Sequence, residues 1–268
     1  MDFESVNLVY FSPTRTTKKV LTGIALGLCC DRVKRFDLTD RHAEFREVAE
    51  IDAGLSIIGV PVYGGRVPGI AAKRIAAIRG RGNPAVVVAV YGNRDYDDAL
   101  VELRDISVQA GFVPVAGAVF IGEHSFSTPD RPIAPGRPDE ADLDLAADFG
   151  RNIAAKMNNG QNFASRGFLK VPGNIPYKDA KLPRSAPETM LDSCTLCGIC
   201  AGLCPTGAIE VGESVVTDPD LCILCHACIR QCPEQVRFFS EGSVHDTARR
   251  IHANCKARKE PEFFWEHE

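Results

Sequence analysis

The chain has 268 residues, of which 45% are hydrophobic and 25% are charged, and its formal net charge is −4. This length accommodates two domains of ordinary size, and the composition is typical of a folded protein. The longest apolar stretches have the length of a strand and fall short of the ~20 residues of a membrane span. The first residues lack the basic and apolar regions of a secretory signal. We therefore expect no membrane contact, no nucleic-acid binding and a cytoplasmic location.

Residues 1–160 alternate apolar runs of strand length with segments of helical periodicity. This alternation is typical of a parallel sheet with helices on both faces, and the central runs are continuously apolar, as buried strands are. The predicted strands are Asn7–Phe11, Val33–Leu38, Leu55–Val62, Ala85–Tyr91 and Val113–Ile121. The predicted helices are Thr17–Leu28, Gly69–Arg79, Asp95–Ala110 and Asp139–Asn158. The sequence thus predicts an α/β domain with five parallel strands.

Residues 161–187 interrupt this pattern with four prolines and a local net charge of +4, so they are predicted to form an extended basic linker. Residues 188–240 are predicted to form a second, small domain, and the segment Met190–Ser240 is acidic, with a net charge of −4. A short hairpin is expected within it, from Ala208–Val211 and Val215–Thr217. Residues 241–268 end in an aromatic run, so this tail is expected to dock on the protein.

Two cysteine runs of identical spacing occupy the acidic segment. Thiols in such runs, with no secretion signal before them, indicate metal ligands rather than disulfides. Each run reads C-x2-C-x2-C-x3-C-P, the bacterial pattern in which three cysteines bind one [4Fe–4S] cluster and the fourth binds the other. Two clusters are therefore predicted, one on Cys194, Cys197, Cys200 and Cys232 and the other on Cys222, Cys225, Cys228 and Cys204.

Zinc is the alternative metal, because structural zinc sites also use C-x2-C pairs, although these are normally separated by longer spacers. A purely structural role for the clusters is a second alternative. The segment Met190–Ser240 resembles the two-cluster bacterial ferredoxins at all eight cysteines and at Pro205 and Pro233. That resemblance implies one-electron chemistry at low potential.

The loop after the first predicted strand carries four hydroxyl groups directly before a helix. In a doubly wound sheet, ligands bind beyond the carboxyl ends of the strands, and a helix N-terminus favours an anion. No loop has a dinucleotide-binding or ATP-binding glycine motif. The hydroxyls therefore predict a phosphate site, with an ordinary helix cap as the alternative reading. The four residues are Ser12, Thr14, Thr16 and Thr17.

This arrangement resembles the flavodoxins, whose fold is a doubly wound sheet of order 2-1-3-4-5 and whose hydroxyl-rich first loop binds the phosphate of FMN. The resemblance implies that the second and third loops enclose the flavin ring, and that Arg15 stands where flavodoxins commonly have a small residue. Each tyrosine could instead be a half-buried surface aromatic. His124 could contact the flavin or be a solvated loop residue. The further flavin-binding residues implied by the resemblance are Tyr63, Gly64, Gly65, Gly92, Asn93 and Tyr96.

The two halves together resemble a family of anaerobe proteins that fuse a flavodoxin-like domain to a two-cluster ferredoxin. The resemblance includes Pro61–Pro68 and the tail segment Arg258–Phe264. It implies electron transfer between FMN and the clusters, and from there to a redox partner protein or small-molecule acceptor. Two other functions remain open from the sequence: a flavin-dependent reductase or oxidase of a bound small molecule, and a redox sensor with structural clusters.

Overall fold

The computed structural model describes residues 5–41, 50–158, 168–180 and 182–265. The first domain alternates strands and helices in the predicted sequence. Its elements are β1 (Val6–Tyr10), α1 (Thr16–Gly27), β2 (Val33–Asp37), β3 (Leu55–Pro61), α2 (Gly69–Ala76), β4 (Pro84–Tyr91), α3 (Ala99–Gln109), β5 (Val113–Ile121) and α4 (Glu140–Asn158).

The strands β1 to β5 form a parallel sheet of order 2-1-3-4-5, which is the flavodoxin-like order. The predicted fold is therefore confirmed. Buried apolar side chains cover both faces of this sheet and form two separate core clusters. On one face, α1 lies so close to α4 that a Cβ atom on Gly27 would come within 1.9 Å of the backbone of Ala147.

Helix α3 begins at Ala99, four residues later than the sequence predicts. The preceding residues form a turn, in which the amide of Asp97 donates to the carboxylate of Asp95 at 2.9 Å. The amide of Asp98 donates to the carbonyl of Gly65 at 3.1 Å, which ties this turn to the loop after β3. Local side-chain to backbone bonds of this kind compete with the helix.

The second domain is built from short elements around the cysteines. Its antiparallel strand pairs are β6 (Glu188–Thr189) with β9 (Arg237–Phe238), and β7 (Ile209–Val211) with β8 (Val215–Thr217). The second pair is the expected hairpin. Two four-residue helices, α5 (Ile199–Gly202) and α6 (Ala227–Arg230), lie within the two cysteine runs.

The predicted linker is extended and packs against the first domain where the structure describes it. Leu169 is fully buried in the core. The carboxylate of Asp98 accepts hydrogen bonds from the amides of Asn174 at 2.8 Å and Lys178 at 2.7 Å. Residues 161–167 and 181 lie outside the described part of the chain. Within the described residues, no helix is long and apolar enough to cross a membrane.

The residues after the cluster domain form α7 (Ser243–Asn254) and β10 (Glu262–Trp265). Strand β10 pairs antiparallel with β5, so the sheet has six strands rather than the predicted five. The ring of Phe263 stacks on that of Phe149, with centroids 4.8 Å apart, and meets Phe120 edge-on at 5.8 Å.

We expect Phe263→Ala to lower the free energy of unfolding of the first domain by about 2 kcal/mol, below the usual range for a buried phenylalanine because the ring is only half-buried. Urea unfolding followed by circular dichroism would measure this change. The matched control is Leu26→Ala, since Leu26 is 71% exposed on α1 and should change the value by less than about 0.5 kcal/mol. Equal effects of the two variants would show that β10 contributes no packing energy.

Candidate functional site

The loop between β1 and α1 has the backbone conformation of a glycine-containing turn although it contains no glycine. Arg15 has φ 67°, in the left-handed region that normally favours glycine. The hydroxyl of Ser12 accepts a hydrogen bond from the amide of Lys18 at 3.0 Å. The cap interpretation therefore holds for Ser12, whose side chain closes the first turn of α1.

The remaining groups of this loop fit an anion. Among the residues that the structure describes, the buried Oγ1 of Thr17 has no hydrogen-bond partner, and no acceptor is paired with the amides of Thr16 and Thr17. Unpaired amides at a helix N-terminus bind phosphate readily, and a buried unpaired hydroxyl is costly unless a ligand satisfies it. This loop fits the phosphate group of FMN.

A cavity of about 340 Å³ lies at the carboxyl edge of the sheet, and it is named the large cavity because the two cavities at the cysteines are far smaller. This volume is within the usual range for small-molecule sites. Its walls come from the loops after β3, β4 and β5, the described part of the linker, the second cysteine run and α7. The lining residues are Val62, Tyr63, Gly64, Gly65, Gly92, Arg94, Asp95, His124, Ser125, Phe126, Lys178, Asp179, Leu182, Pro183, Ile223, Leu224, Thr247, Arg250 and Ile251.

Two glycines keep the backbone close to its neighbours at this cavity. Gly65 has φ 84°, and a Cβ atom there would lie 2.1 Å from the carboxylate of Asp97. A Cβ atom on Gly92 would lie 2.3 Å from the ring of His124. Both positions therefore require glycine. Desolvation, followed by the charges of Cys225 and Cys222, raises the pKa of Tyr63 well above its ordinary value, so its hydroxyl stays protonated.

Neither Tyr96 nor Asn93 is among the residues that line the cavity, and the flavin contacts expected for them stay predictions. Tyr96 is 9% exposed, its ring packs edge-on against Tyr91, and its hydroxyl donates to Glu262 at 3.2 Å. It does not line the cavity, because the turn before α3 folds it into the core. The side-chain amide nitrogen of Asn93 donates to the carbonyls of Cys255 at 2.7 Å and Ala257 at 2.9 Å, so it holds the tail.

His124 lines the cavity and is not a solvated loop residue. Its Nδ1 accepts a hydrogen bond from the amide of Phe126 at 3.0 Å, and its ring meets that of Phe126 at 4.9 Å. Burial, followed by the nearby charges of Arg230 and Arg94, lowers the pKa of His124 to about 4. The imidazole is therefore neutral at pH 7.

The eight predicted cysteine ligands line two further cavities. One is lined by Cys194, Cys197, Cys200 and Cys232, and the other by Cys204, Cys222, Cys225 and Cys228. In each cavity the fourth cysteine comes from the other run. The structure thus groups the cysteines in the two sets that the spacing predicts.

The chemistry of these thiols fits a metal cluster. Desolvation raises the pKa of Cys225 to about 12 and that of Cys222 to about 11. Such buried thiols are deprotonated when a metal binds them. No group of three or more His, Cys, Asp or Glu among the described residues is placed to hold a single ion. In a cubane, by contrast, each thiolate binds a different iron atom.

Sequence reasoning missed Ile223 and Leu224, which line both the large cavity and the cavity of Cys204, Cys222, Cys225 and Cys228. Their position between two cysteines of one run could have indicated the second contact. It missed Phe126 as well, which lies in the insertion after β5 and packs against Leu224 and Phe239 in one apolar cluster. No local pattern in the sequence indicates this contact.

Residues 187–210 and 215–238 match the family described as the 4Fe-4S binding domain. No curated protein matches the chain. Among solved structures, the chain is similar to a flavodoxin from the domain Archaea, at 15% identity over 57% of this chain and 99% of that one, with a TM-score of 0.40. A Fusobacterium nucleatum flavodoxin bound to flavin mononucleotide matches at 16% identity over 58% of this chain and 98% of that one, with a TM-score of 0.39.

A third similar structure is the rubredoxin oxygen:oxidoreductase of the anaerobe Desulfovibrio gigas, at 17% identity over 59% of this chain and 37% of that one, with a TM-score of 0.44. Likenesses at this level carry no functional information. The sheet order and the family match nevertheless agree on one architecture: the chain joins a flavodoxin-like domain to a 4Fe-4S binding domain.

The lowered pKa of His124 makes the stability of the protein depend on pH. Between pH 6.5 and about 4, His124 binds a proton in the unfolded chain but not in the folded one. The stability that the protein gains from keeping His124 neutral is fully present above pH 6.5, and it is lost as the pH falls toward 4. We expect His124→Gln to lose about 2 kcal/mol less stability than the wild type between pH 7 and pH 5, measured by urea unfolding. An equal loss in both proteins would show that His124 is protonated in the folded state.

The grouping of the cysteines predicts which cluster each variant damages. The double variant Cys197→Ala with Cys204→Ala should strike both clusters, since the two residues line different cavities. The matched control, Cys197→Ala with Cys232→Ala, removes two cysteines from one cavity and should spare the other cluster. Iron analysis and low-temperature EPR of the reduced proteins would measure this difference. The opposite pattern would mean that each run ligates its own cluster.

Proposed function

We propose that the chain is a cytoplasmic electron-transfer flavoprotein that binds one FMN and two [4Fe–4S] clusters and exchanges electrons with a partner protein or small-molecule acceptor. The observation that carries this proposal is the wall shared by two cavities. Ile223 and Leu224 line the large cavity on one side and the cavity of Cys204, Cys222, Cys225 and Cys228 on the other.

The residues that would hold FMN lie in two groups. Thr14, Arg15, Thr16 and Thr17 would receive its phosphate at the N-terminus of α1, together with the capping residue Ser12. Tyr63, Gly64, Gly65 and Gly92 would enclose its ring in the large cavity. Gly122, two residues before the cavity-lining His124, lies beside the first group, because a Cβ atom there would lie 3.3 Å from the Cβ of Thr16. FMN when bound exchanges one or two electrons, and a cluster exchanges one.

Hydrogen bonds hold the cluster domain against the loops of the sheet domain. The guanidinium of Arg230 donates to the carbonyl of His124 at 2.7 Å, and that of Arg74 donates to the carbonyl of Pro205 at 2.8 Å. The side-chain amide of Gln231 donates to the carbonyl of Pro13, in the phosphate loop, at 3.4 Å. These bonds fix the distance across the shared wall, as electron exchange requires.

The two cysteine cavities occupy different positions in such a relay. The cavity of Cys222, Cys225 and Cys228 shares its wall with the large cavity. The other cavity is lined only by residues of the cluster domain, and its Cys197 is exposed. The first cluster would therefore exchange electrons with the flavin side, and the second would face an external partner.

The proposal is tested by reducing the clusters through the flavin. Anaerobic illumination with EDTA reduces bound flavin by its photochemistry, so the clusters of the wild-type protein should then lose their visible absorbance. In Thr14→Glu, a carboxylate would repel the phosphate in its site, so we expect loss of FMN and no cluster reduction on illumination. Later addition of dithionite should reduce the clusters of both proteins.

The matched control is Thr22→Glu, which adds the same charge to α1 away from its N-terminal amides. It should retain FMN and light-driven cluster reduction. The wild-type protein should contain one FMN and about eight iron atoms per chain. Stoichiometric zinc, FAD in place of FMN, or clusters that stay oxidised beside a reduced flavin would overturn the proposal. The last result would favour a flavin-dependent reductase or a sensor.

A further inference from the structure

Arg237 is a buried cation in an otherwise acidic domain. It lies on β9 and is 3% exposed. Its Nη1 donates to the hydroxyl of Thr189 at 2.8 Å, and its Nη2 donates to the hydroxyl of Thr217 at 2.8 Å. Its Nε is buried without a partner. The guanidinium thus joins three segments of the domain through neutral groups.

No carboxylate forms an ion pair with Arg237 in the described ranges of the chain. The two arginines that precede it in the sequence both form ion pairs: Arg184 pairs with Asp220, and Arg230 pairs with Glu123. A buried charge without a counter-charge destabilises a fold by several kcal/mol. Arginine cannot escape this cost by losing its proton. The site of Arg237 therefore requires an anion that is not a carboxylate.

The two cysteine cavities lie beside Arg237, and a cluster bound in either one would supply that anion. Arg237 lines the cavity of Cys194, Cys197, Cys200 and Cys232. Its Nη2 also lies 3.7 Å from the Sγ of Cys228, which lines the other cavity. One guanidinium thus lies between the two sets of ligands.

We propose that Arg237 is the shared counter-charge of the two clusters and raises the reduction potential of both. This inference rests on the proposed function, because it requires a cluster in each cavity. Four thiolates leave an oxidised [4Fe–4S] cluster with a net negative charge, and reduction by an external one-electron donor adds one more electron. A fixed positive charge in a buried site favours the more negative state. Arg237 is a positioning and tuning residue rather than a ligand.

The test is an EPR-monitored redox titration of purified Arg237→Gln and Arg237→Lys with dithionite as the reductant. Glutamine keeps hydrogen-bonding capacity and removes the charge, so both midpoint potentials should fall. At a fixed potential, the ratio of reduced to oxidised cluster should drop about tenfold. Lysine keeps the charge, so Arg237→Lys should stay close to the wild type. A purely structural role would not produce this difference between the two variants.

The matched control is Arg184→Gln, which removes the same charge from the end of the linker, where Arg184 pairs with Asp220 on the surface of the cluster domain. The side chain of Arg184 is 69% exposed, and solvent screens exposed charges, so its loss should leave both potentials unchanged. Unchanged potentials in Arg237→Gln with full iron content would overturn the inference and leave the proposed function intact. A wild-type protein without iron clusters would overturn the proposed function itself. Arg237→Gln could fail to assemble its clusters, and Arg237→Lys then decides. A tenfold drop in the ratio of reduced to oxidised cluster in Arg237→Lys, at the same fixed potential, would also overturn the inference.

Discussion

The pairing of β10 with β5 is the constraint on which the arrangement of the two domains depends. Without it, β5 would end the sheet with an unpaired edge, which proteins normally cover. The covering strand comes from the end of the described chain, after the cluster domain. The linker contacts Asp98 at the carboxyl edge of the sheet, and the chain then folds around the cysteines and returns to the same sheet. Both ends of the cluster domain are held at that edge.

The returning segment also shapes the loop after β4. Asn93, with φ 63°, holds the carbonyls of Cys255 and Ala257 through its side chain. The ammonium group of Lys259 donates to the carbonyl of Arg94 at 2.7 Å. Arg258 forms an ion pair with Asp139 at 2.6 Å, which lowers the pKa of Asp139 below its ordinary range. The loop after β4, which lines the cavity, thus depends on the tail.

The insertion between β5 and α4 completes the enclosure from the opposite side. Phe126 packs against Leu224 and Phe239 of the cluster domain. The side chain of Arg131 lies 2.8 Å from the ring of His245 on α7. The insertion contributes His124, Ser125 and Phe126 to the lining of the large cavity. Because Phe126 packs on the cluster domain, the insertion joins the two domains beside the cavity residues Ile223 and Leu224.

The sequence predicted those features that depend on local pattern. Continuous apolar runs located β3 and β4 within a residue or so, since buried parallel strands leave this signal. Counting hydroxyls found the phosphate loop but could not show that Arg15 takes the left-handed conformation, because a non-glycine residue rarely does. The sequence did not show that Tyr96 packs in the core, because the turn at Asp95–Asp98 depends on tertiary bonds to Gly65. Strand β10 was missed because pairing with β5 is a long-range contact.

The two domains differ in how far their cores depend on the cofactors. The sheet domain has apolar clusters on both faces, formed by large aliphatic and aromatic side chains. In the cluster domain, one of the two apolar clusters is built around Cys204 and Cys228 themselves, with only Ala208 and Ile209 as other fully buried members. The thiols there are both the ligands and the core.

Metal binding and folding are coupled in such small domains, whose apolar surface alone is insufficient. The proposed role of Arg237 would add to this coupling, because its buried charge would gain a counter-charge only with the clusters in place. We therefore expect the sheet domain to form without iron, and the cluster domain to complete its fold, and with it the wall of the large cavity, when the iron is bound.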